Sequence, residues 1–317
     1  MLKRLEGVRR ALAEQNLDAL LVAQSEEAPS PHVRYLSGFG GSKAVLIITP
    51  QRQIIASDSR YWDQIGKQCP DFELVKLTLK PEETLRDTLR ALGVRRAGFE
   101  SRRLTVDQQA EWAKAFESVE LVATKDVVES LRMIKDDQEI ETLRRALALT
   151  DQAYEYIVNW IEPGMSEKEV AWELESFMRT HGADGLAFDV HVASGPGSAE
   201  PHHVSDTRPI ALGEPIWIDM GARVGGYCAD LTRSFTLGEP DAQFKRIYMI
   251  VLQAQLAVER ALKAGLPGKE ADAIARKVIE DAGYGANFGH GLGHGLGLAV
   301  HEKPSAGRAS EDTKTWP

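Results

Sequence analysis

The residues best suited to chemistry lie in the last third of the chain. Between Gly289 and Glu302, His290, His294 and His301 are interleaved with five glycines at alternate positions. Glycine at that spacing favours neither a helix nor a well-packed strand. It lets a backbone pass close to something while imidazoles converge as metal ligands or proton carriers. A plain Gly-rich loop with solvated histidines is the competing reading. Three of the chain's eight histidines in fourteen residues weigh against it.

Two aspartates supply complementary charge. Ile216-Trp217-Ile218-Asp219-Met220-Gly221 alternates as a strand does, and Cys228 to Phe235 is its return, with the turn near Val224-Gly225. That hairpin places Asp219 and Asp230 on neighbouring strands, close enough to face one another. The flanking Ile216, Ile218, Leu231 and Phe235 make both carboxylates at least partly buried. Paired buried carboxylates persist when protonated, when matched by a cation, or when holding a metal. A salt bridge to Arg233 or Arg223 is the simpler alternative. The Gly-His stretch in the same half moves the balance to metal. Two carboxylates and an imidazole form a hard oxygen and nitrogen set suited to divalent manganese, cobalt, iron or zinc.

The elements that must position these groups follow from periodicity. Leu2, Leu5, Val8 and Leu12 mark a first helix, and residues 17–22 a buried strand. Tyr35 to Ser42 reads as a Gly-rich turn, because no GxxxxGK[ST] pattern is present and a strand, not a helix, follows at 44–49. Residues 53–57 return as a hairpin, 58–68 and 81–92 read as helices, and 97–100 and 119–122 as strands. This half is therefore α/β. From Asp126 to Glu162 the chain reads as mostly helix, so the domain boundary is placed at 127/128. Ser166 with Glu169 is a capping box opening the next helix. Residues 188–193 read as a strand, and 241–264 and 268–282 as helices. The second half, 128–317, is expected to be α+β with an antiparallel sheet.

Bulk properties exclude several classes. At 317 residues the chain exceeds one ordinary core. A net charge of −9 without a basic block argues against nucleic acid and anionic membrane surfaces. Cys69 and Cys228 are too few for a disulfide framework, and no apolar run approaches a membrane span, so a cytoplasmic location is expected.

The motifs resemble the pita-bread metallopeptidases: Xaa-Pro dipeptidase (prolidase), aminopeptidase P, methionine aminopeptidase and the related creatinase. The resemblance spans nearly the whole chain, through Tyr35-Leu36-Ser37-Gly38-Phe39, Met133-Ile134-Lys135 to Ile140, and Ser194-Gly195-Pro196 to His202. It is most specific at Asp219-Met220-Gly221-Ala222, Ala229 to Arg233, and Gly289-His290 through His301-Glu302. It implies that Asp219, Asp230 and His294 ligate metal in a site for two divalent ions, manganese first and cobalt or zinc next. It implies that His290 and His301 act on the scissile carbonyl or move protons, and that His202 contacts substrate. The expected substrate is a proline-containing dipeptide or short peptide, with dipeptidase favoured over aminopeptidase P by the compact N-terminal half, and a homodimer is expected. The resemblance also implies two further glutamate ligands which, by spacing, fall beyond Pro317. Neither Glu302 nor Glu311 is assigned to replace them. The catalytic domain is thus expected to be shortened at its C-terminus, with a sheet edge left unpaired, low stability and doubtful activity. The alternative function is a catalytically impaired relative that binds a peptide or protein partner.

Overall fold

A computed structural model describes residues 2–308 and divides into two compact units, Met1–Arg132 and Met133–Pro317. Glu311 lies outside the described residues.

In the first unit the elements run α1 (Leu2–Glu14), β1 (Ala19–Gln24), α2 (Pro31–Ser37), β2 (Ala44–Ile48), β3 (Gln53–Ser57) and α3 (Trp62–Gln68). They continue with β4 (Glu73–Lys76), α4 (Pro81–Ala91), β5 (Arg96–Glu100), α5 (Val106–Ala115), β6 (Glu120–Thr124) and α6 (Val127–Arg132). The strands form one mixed sheet in the order β4-β3-β2-β1-β5-β6, with only β2 antiparallel to its neighbours. Leu21, Ile47, Ile54, Phe99, Trp112 and Phe116 are central to its core.

The segment read as a turn from Tyr35 begins instead as the end of α2. Ser30 caps that helix by accepting from the His32 N–H, Pro31 fills its first turn, and Gly38 ends it at φ 80°. The glycines after it do not form a phosphate cradle. The Gly40 N–H is taken by Gln68 Oε1 at 2.9 Å, and the Gly41 carbonyl accepts from Gln24.

The second unit begins with α7 (Asp137–Trp160) and α8 (Glu167–Thr180). The stretch expected as nearly continuous helix is broken between α6 and α7. Asp136 and Glu139 form a capping box there and restart the helix. The strands β7 (Gly185–Leu186), β8 (His191–Ser194), β9 (Ile216–Met220), β10 (Ala222–Val224), β11 (Tyr227–Cys228) and β12 (Leu231–Phe235) follow. Then come α9 (Ala242–Ala261), α10 (Gly268–Asp281), β13 (Gly293–Gly295) and β14 (Glu302–Ala306). The pairing is antiparallel throughout, in sheets β12-β9-β8, β11-β10-β7 and β13-β14.

Strand β9 decides where the chemistry points. Ile216, Ile218 and Met220 are buried among Ile157, Val170, Leu174 and Met178 of α7 and α8. Burying each such side chain is worth about 1.5–3 kcal/mol, and a one-residue slip would reverse the faces. The register is thereby fixed with Trp217 and Asp219 on the other face. The turn of the hairpin is made by Gly225 and Gly226 at φ 58° and 85°, where glycine carries no steric cost. Helix α7 holds the hairpin from behind. Thr150 Oγ1 accepts the Ala222 N–H at 3.0 Å, and the Tyr227 hydroxyl donates to Glu139 at 2.8 Å.

Candidate metal centre

Asp219 stands in a row across the three-stranded sheet, paired with His191 of β8 on one side and Thr232 of β12 on the other. The Thr232 hydroxyl donates to Asp219 Oδ1 at 2.8 Å. The hairpin reading is corrected in register: the cross-strand partner of Asp219 is Thr232, not Asp230. Asp230 lies two residues before Thr232, so alternation returns it toward the same face, diagonally from Asp219. The two charges do act on one another. Burial raises the proton affinity of Asp230 most, the negative charge of Asp219 adds to this, and His294 and His301 oppose it.

His294 completes the cluster. Its Nδ1–H donates to the Gly295 carbonyl at 3.1 Å, and its Nε2 lies 3.5 Å from Asp230 Oδ2. A backbone hydrogen bond on one ring nitrogen that orients the other is the usual preparation of a metal-ligating imidazole. The His301 ring packs on His294 with centroids 4.1 Å apart, and is itself exposed. The structure therefore brings together Asp219, Asp230, His294 and His301. His290 is exposed on the same stretch, with Nδ1 bonded to the Gly291 carbonyl at 2.7 Å and its ring edge-on to Phe288. His202 is exposed on the loop after β8.

Three of the alternating glycines do bring the backbone close to a neighbour. Residues 293–295 are a strand, and the close neighbour of the backbone is the returning strand β14. A Cβ on Gly295 would lie 2.5 Å from the Lys303 carbonyl oxygen, and one on Gly291 would lie 2.9 Å from that of Ala306. A Cβ on Gly297 would meet the Glu302 carboxylate at 2.3 Å. None of these three has positive φ, so room and not backbone conformation requires glycine. Gly295→Ala is expected to push β13 from β14 and displace His294. The check is a drop in metal affinity of about 10-fold or more, the lower end for altered ligand support; unchanged affinity would refute the account.

Three supporting groups escaped sequence reasoning. Arg276 and Asp272, on α10, form a buried bidentate pair at 2.7 and 2.9 Å. Arg276 also donates to the carbonyls of Phe288 at 2.7 Å and His290 at 2.9 Å, and its guanidinium lies 4.2 Å from the Phe288 ring centroid. Asp272 accepts the Leu292 N–H at 3.0 Å. The Gly-His stretch thus hangs from α10. Lys135 pairs with the largely buried Glu302 at 2.8 Å, so the carboxylate that ends the Gly-His stretch is matched by a cation.

The third group is Glu167, fully buried at the start of α8. It accepts from the Ser194 N–H and hydroxyl, both at 2.7 Å, from His203 Nε2 at 2.7 Å, and from the Asp206 N–H at 3.1 Å. It fastens both ends of the loop that carries His202. His191 Nδ1 donates to the His203 carbonyl at 3.1 Å, linking this loop to the Asp219 row. The hydrogen bond to Glu167 raises the proton affinity of His203 most, burial opposes it, and Glu200 adds a smaller rise. A histidine whose folded pKa is raised stabilises fully below its ordinary value of 6.5 and loses that contribution as pH climbs through the folded value. Glu167→Gln should flatten this decline. Urea unfolding at about pH 6 and about pH 8.5 measures it, since histidine titrates between these values; an identical pH difference in both proteins would overturn the assignment.

Comparison with known proteins places this centre. Residues 141–315 match metallopeptidase family M24, and residues 4–134 match the Creatinase/Prolidase N-terminal domain. The chain belongs to metallopeptidase family M24. It is similar to the solved Xaa-Pro dipeptidase from Bacillus anthracis, with TM-score 0.93 and 39% identity over 98% of this chain and 86% of that one. It is similar to the solved X-Pro aminopeptidase from Thermotoga maritima, with TM-score 0.89 and 36% identity over 95% of this chain and 86% of that one. The Xaa-Pro dipeptidase of Pyrococcus horikoshii is 32% identical over 98% of this chain and 86% of its own length. This M24 chain therefore has the creatinase-type α/β first unit and the pita-bread second unit expected from its motifs. The family is metal-dependent, and the donor types fit: two carboxylates that act on one another and an imidazole whose Nε2 lies 3.5 Å from one of them. Among the described residues, no helix is long and apolar enough to cross a membrane.

Proposed function

We propose that the chain hydrolyses the Xaa-Pro bond of dipeptides or of short peptides at their N-termini. The observation that carries this reading is the convergence of His294 Nε2 on Asp230 beside Asp219, in a chain similar to dipeptidases and aminopeptidases of that specificity. Asp219, Asp230 and His294 would hold divalent metal, with manganese preferred and cobalt or zinc admissible. Bound metal supplies an activated water and polarises the scissile carbonyl.

The remaining steps belong to the side chains. Thr232 holds one oxygen of Asp219 and so orients the other. His301, exposed and packed on His294, would hydrogen-bond the scissile carbonyl as charge develops. His290 keeps Nε2 available because Nδ1 is committed to the Gly291 carbonyl, and would carry a proton to or from the leaving group. His202 would contact the substrate, on a loop fastened by Glu167. Proline after the cut has no amide N–H, so selection must rest on ring shape. We place the protein in the cytoplasm as a homodimer. Cys69 and Cys228 are both buried and are not joined in a disulfide.

The test is metal stoichiometry of the 317-residue chain after manganese loading, with hydrolysis of Ala-Pro in the same tube. Turnover with metal bound is the expected result. Binding of the dipeptide without turnover would transfer the chain to the peptide-binding reading, and neither binding nor turnover would end the proposal.

A further inference from the structure

The first unit holds a cavity of about 130 Å³ that the peptidase reading does not use. It lies where the sheet changes direction. From β1 the chain passes to β2, β3 and β4 on one side and returns to β5 and β6 on the other. Strands β1 and β5 are parallel, and the cavity is lined by residues at or just beyond their carboxyl ends, Gln24 and Ser25 from one and Arg103 from the other. In open α/β sheets such a switch point is where ligands bind. The first turns of α4 and α5 also line it, through Glu82 and Gln108.

Two cations at this cavity lack protein acceptors among the described residues. The side chains of Lys43 and Arg103 line the same space and are half-buried. Neither forms a hydrogen bond or ion pair among the described residues, although Glu26 and Asp58 feel Lys43 at longer range. An unprotonated acceptor is therefore matched at one end. Leu77 and Leu85, both buried, form an apolar wall, and the half-buried Glu82 offers a negative group to a cation. The volume decides the size of the guest. It falls below the ~300 Å³ at which drug-sized sites begin. A nucleotide is too large.

We propose that this cavity binds a small apolar α-amino acid. Its carboxylate meets Arg103 and Lys43, its ammonium faces Glu82, and its side chain lies on Leu77 and Leu85. The site is separate from the metal centre and does not depend on the peptidase reading.

The experiment is calorimetric titration of the full chain with L-leucine, leucinamide, 4-methylpentanoate and inorganic phosphate. Leucine is expected to bind with a dissociation constant on the order of 1 mM, and Arg103→Gln to weaken it by about 10-fold or more. Leucinamide, which lacks the carboxylate, and phosphate, which lacks the apolar body, should bind far more weakly. 4-Methylpentanoate, which lacks the ammonium, should fall between. Ala28→Trp, which fills the cavity, should abolish binding, and His294→Ala, in the other unit, should leave it intact. Leucine binding that survives Ala28→Trp, or that is lost in His294→Ala, would overturn the proposal. So would phosphate binding as tight as that of leucine, or no heat with leucine at about 50 mM, far above the expected constant.

Discussion

An Asp230→Asn chain is expected to lose more than about 100-fold in Ala-Pro hydrolysis, a larger loss than the 10–100-fold typical when a supporting partner of a metal ligand is removed. It should nevertheless fold at least as well as the parent when both are metal-free. Asp230 is partly buried beside a second carboxylate, so ionisation there opposes folding, and a neutral amide relieves the repulsion. The signature is a reversal. Chelated parent should melt no higher than chelated variant, whereas manganese should raise the melting temperature of the parent alone, because a ligand that binds only the folded state stabilises it. Equal manganese-induced shifts in both proteins would remove Asp230 from the ligand set. A variant that melts well below the chelated parent would show that the carboxylate is a structural hydrogen-bond acceptor instead.

The second large effect is expected at Arg276. Arg276→Met strands the carboxylate of Asp272, which is 1% exposed, and frees the carbonyls of Phe288 and His290. Breaking a buried ion pair from one side costs about 3–5 kcal/mol. Since the pair lies just beneath the surface, the lower end is expected, read as a shifted urea midpoint. Asp272→Leu with Arg276→Met should recover much of that stability, because no charge is left unmatched. The double variant should still hydrolyse Ala-Pro poorly, since nothing then holds the Gly-His stretch on α10. Full activity in the double variant would mean that β14 alone positions His294.

Much of this site was legible because strand alternation is local. The pattern of Ile216, Ile218 and Met220 against Asp219 is enough to put the carboxylate on the face away from the core. The pairing of Asp219 with Thr232 was not legible, because it depends on where the chain resumes the ladder after the Gly225-Gly226 turn and the β10–β11 pair. Arg276 and Asp272 were missed for another reason. Four apart on a helix, they look like any solvated surface pair. Only the packing of a distant glycine stretch over them turns the pair into a buried support. Glu167 was hidden similarly, since an acidic residue in a first helical turn is common and its four donors come from the loop at Ser194 to Asp206. In the first unit, α2 was overlooked although Ser30, Pro31 and Gly38 supplied start and stop signals, because seven residues are too few to show a period. The alternating glycines were read as a backbone passing close to something, and at Gly291 and Gly295 that something is the backbone of β14, which spacing alone does not name.

The arrangement of the donors along the chain also sets an order of assembly. Asp219 and Asp230 belong to one hairpin closed by Gly225 and Gly226, so they meet as soon as that hairpin forms. His294 comes from beyond α9 and α10, and its strand is completed only by β14. Loop closure over that distance is slower, so the two carboxylates must sit together for a time without their imidazole. During that interval the half-built centre is an acidic pair with no nitrogen donor, and hard cations such as magnesium or calcium are its natural visitors. Arrival of His294 changes the preference toward transition metals. Excess magnesium during refolding is therefore expected to delay docking of the late strand pair.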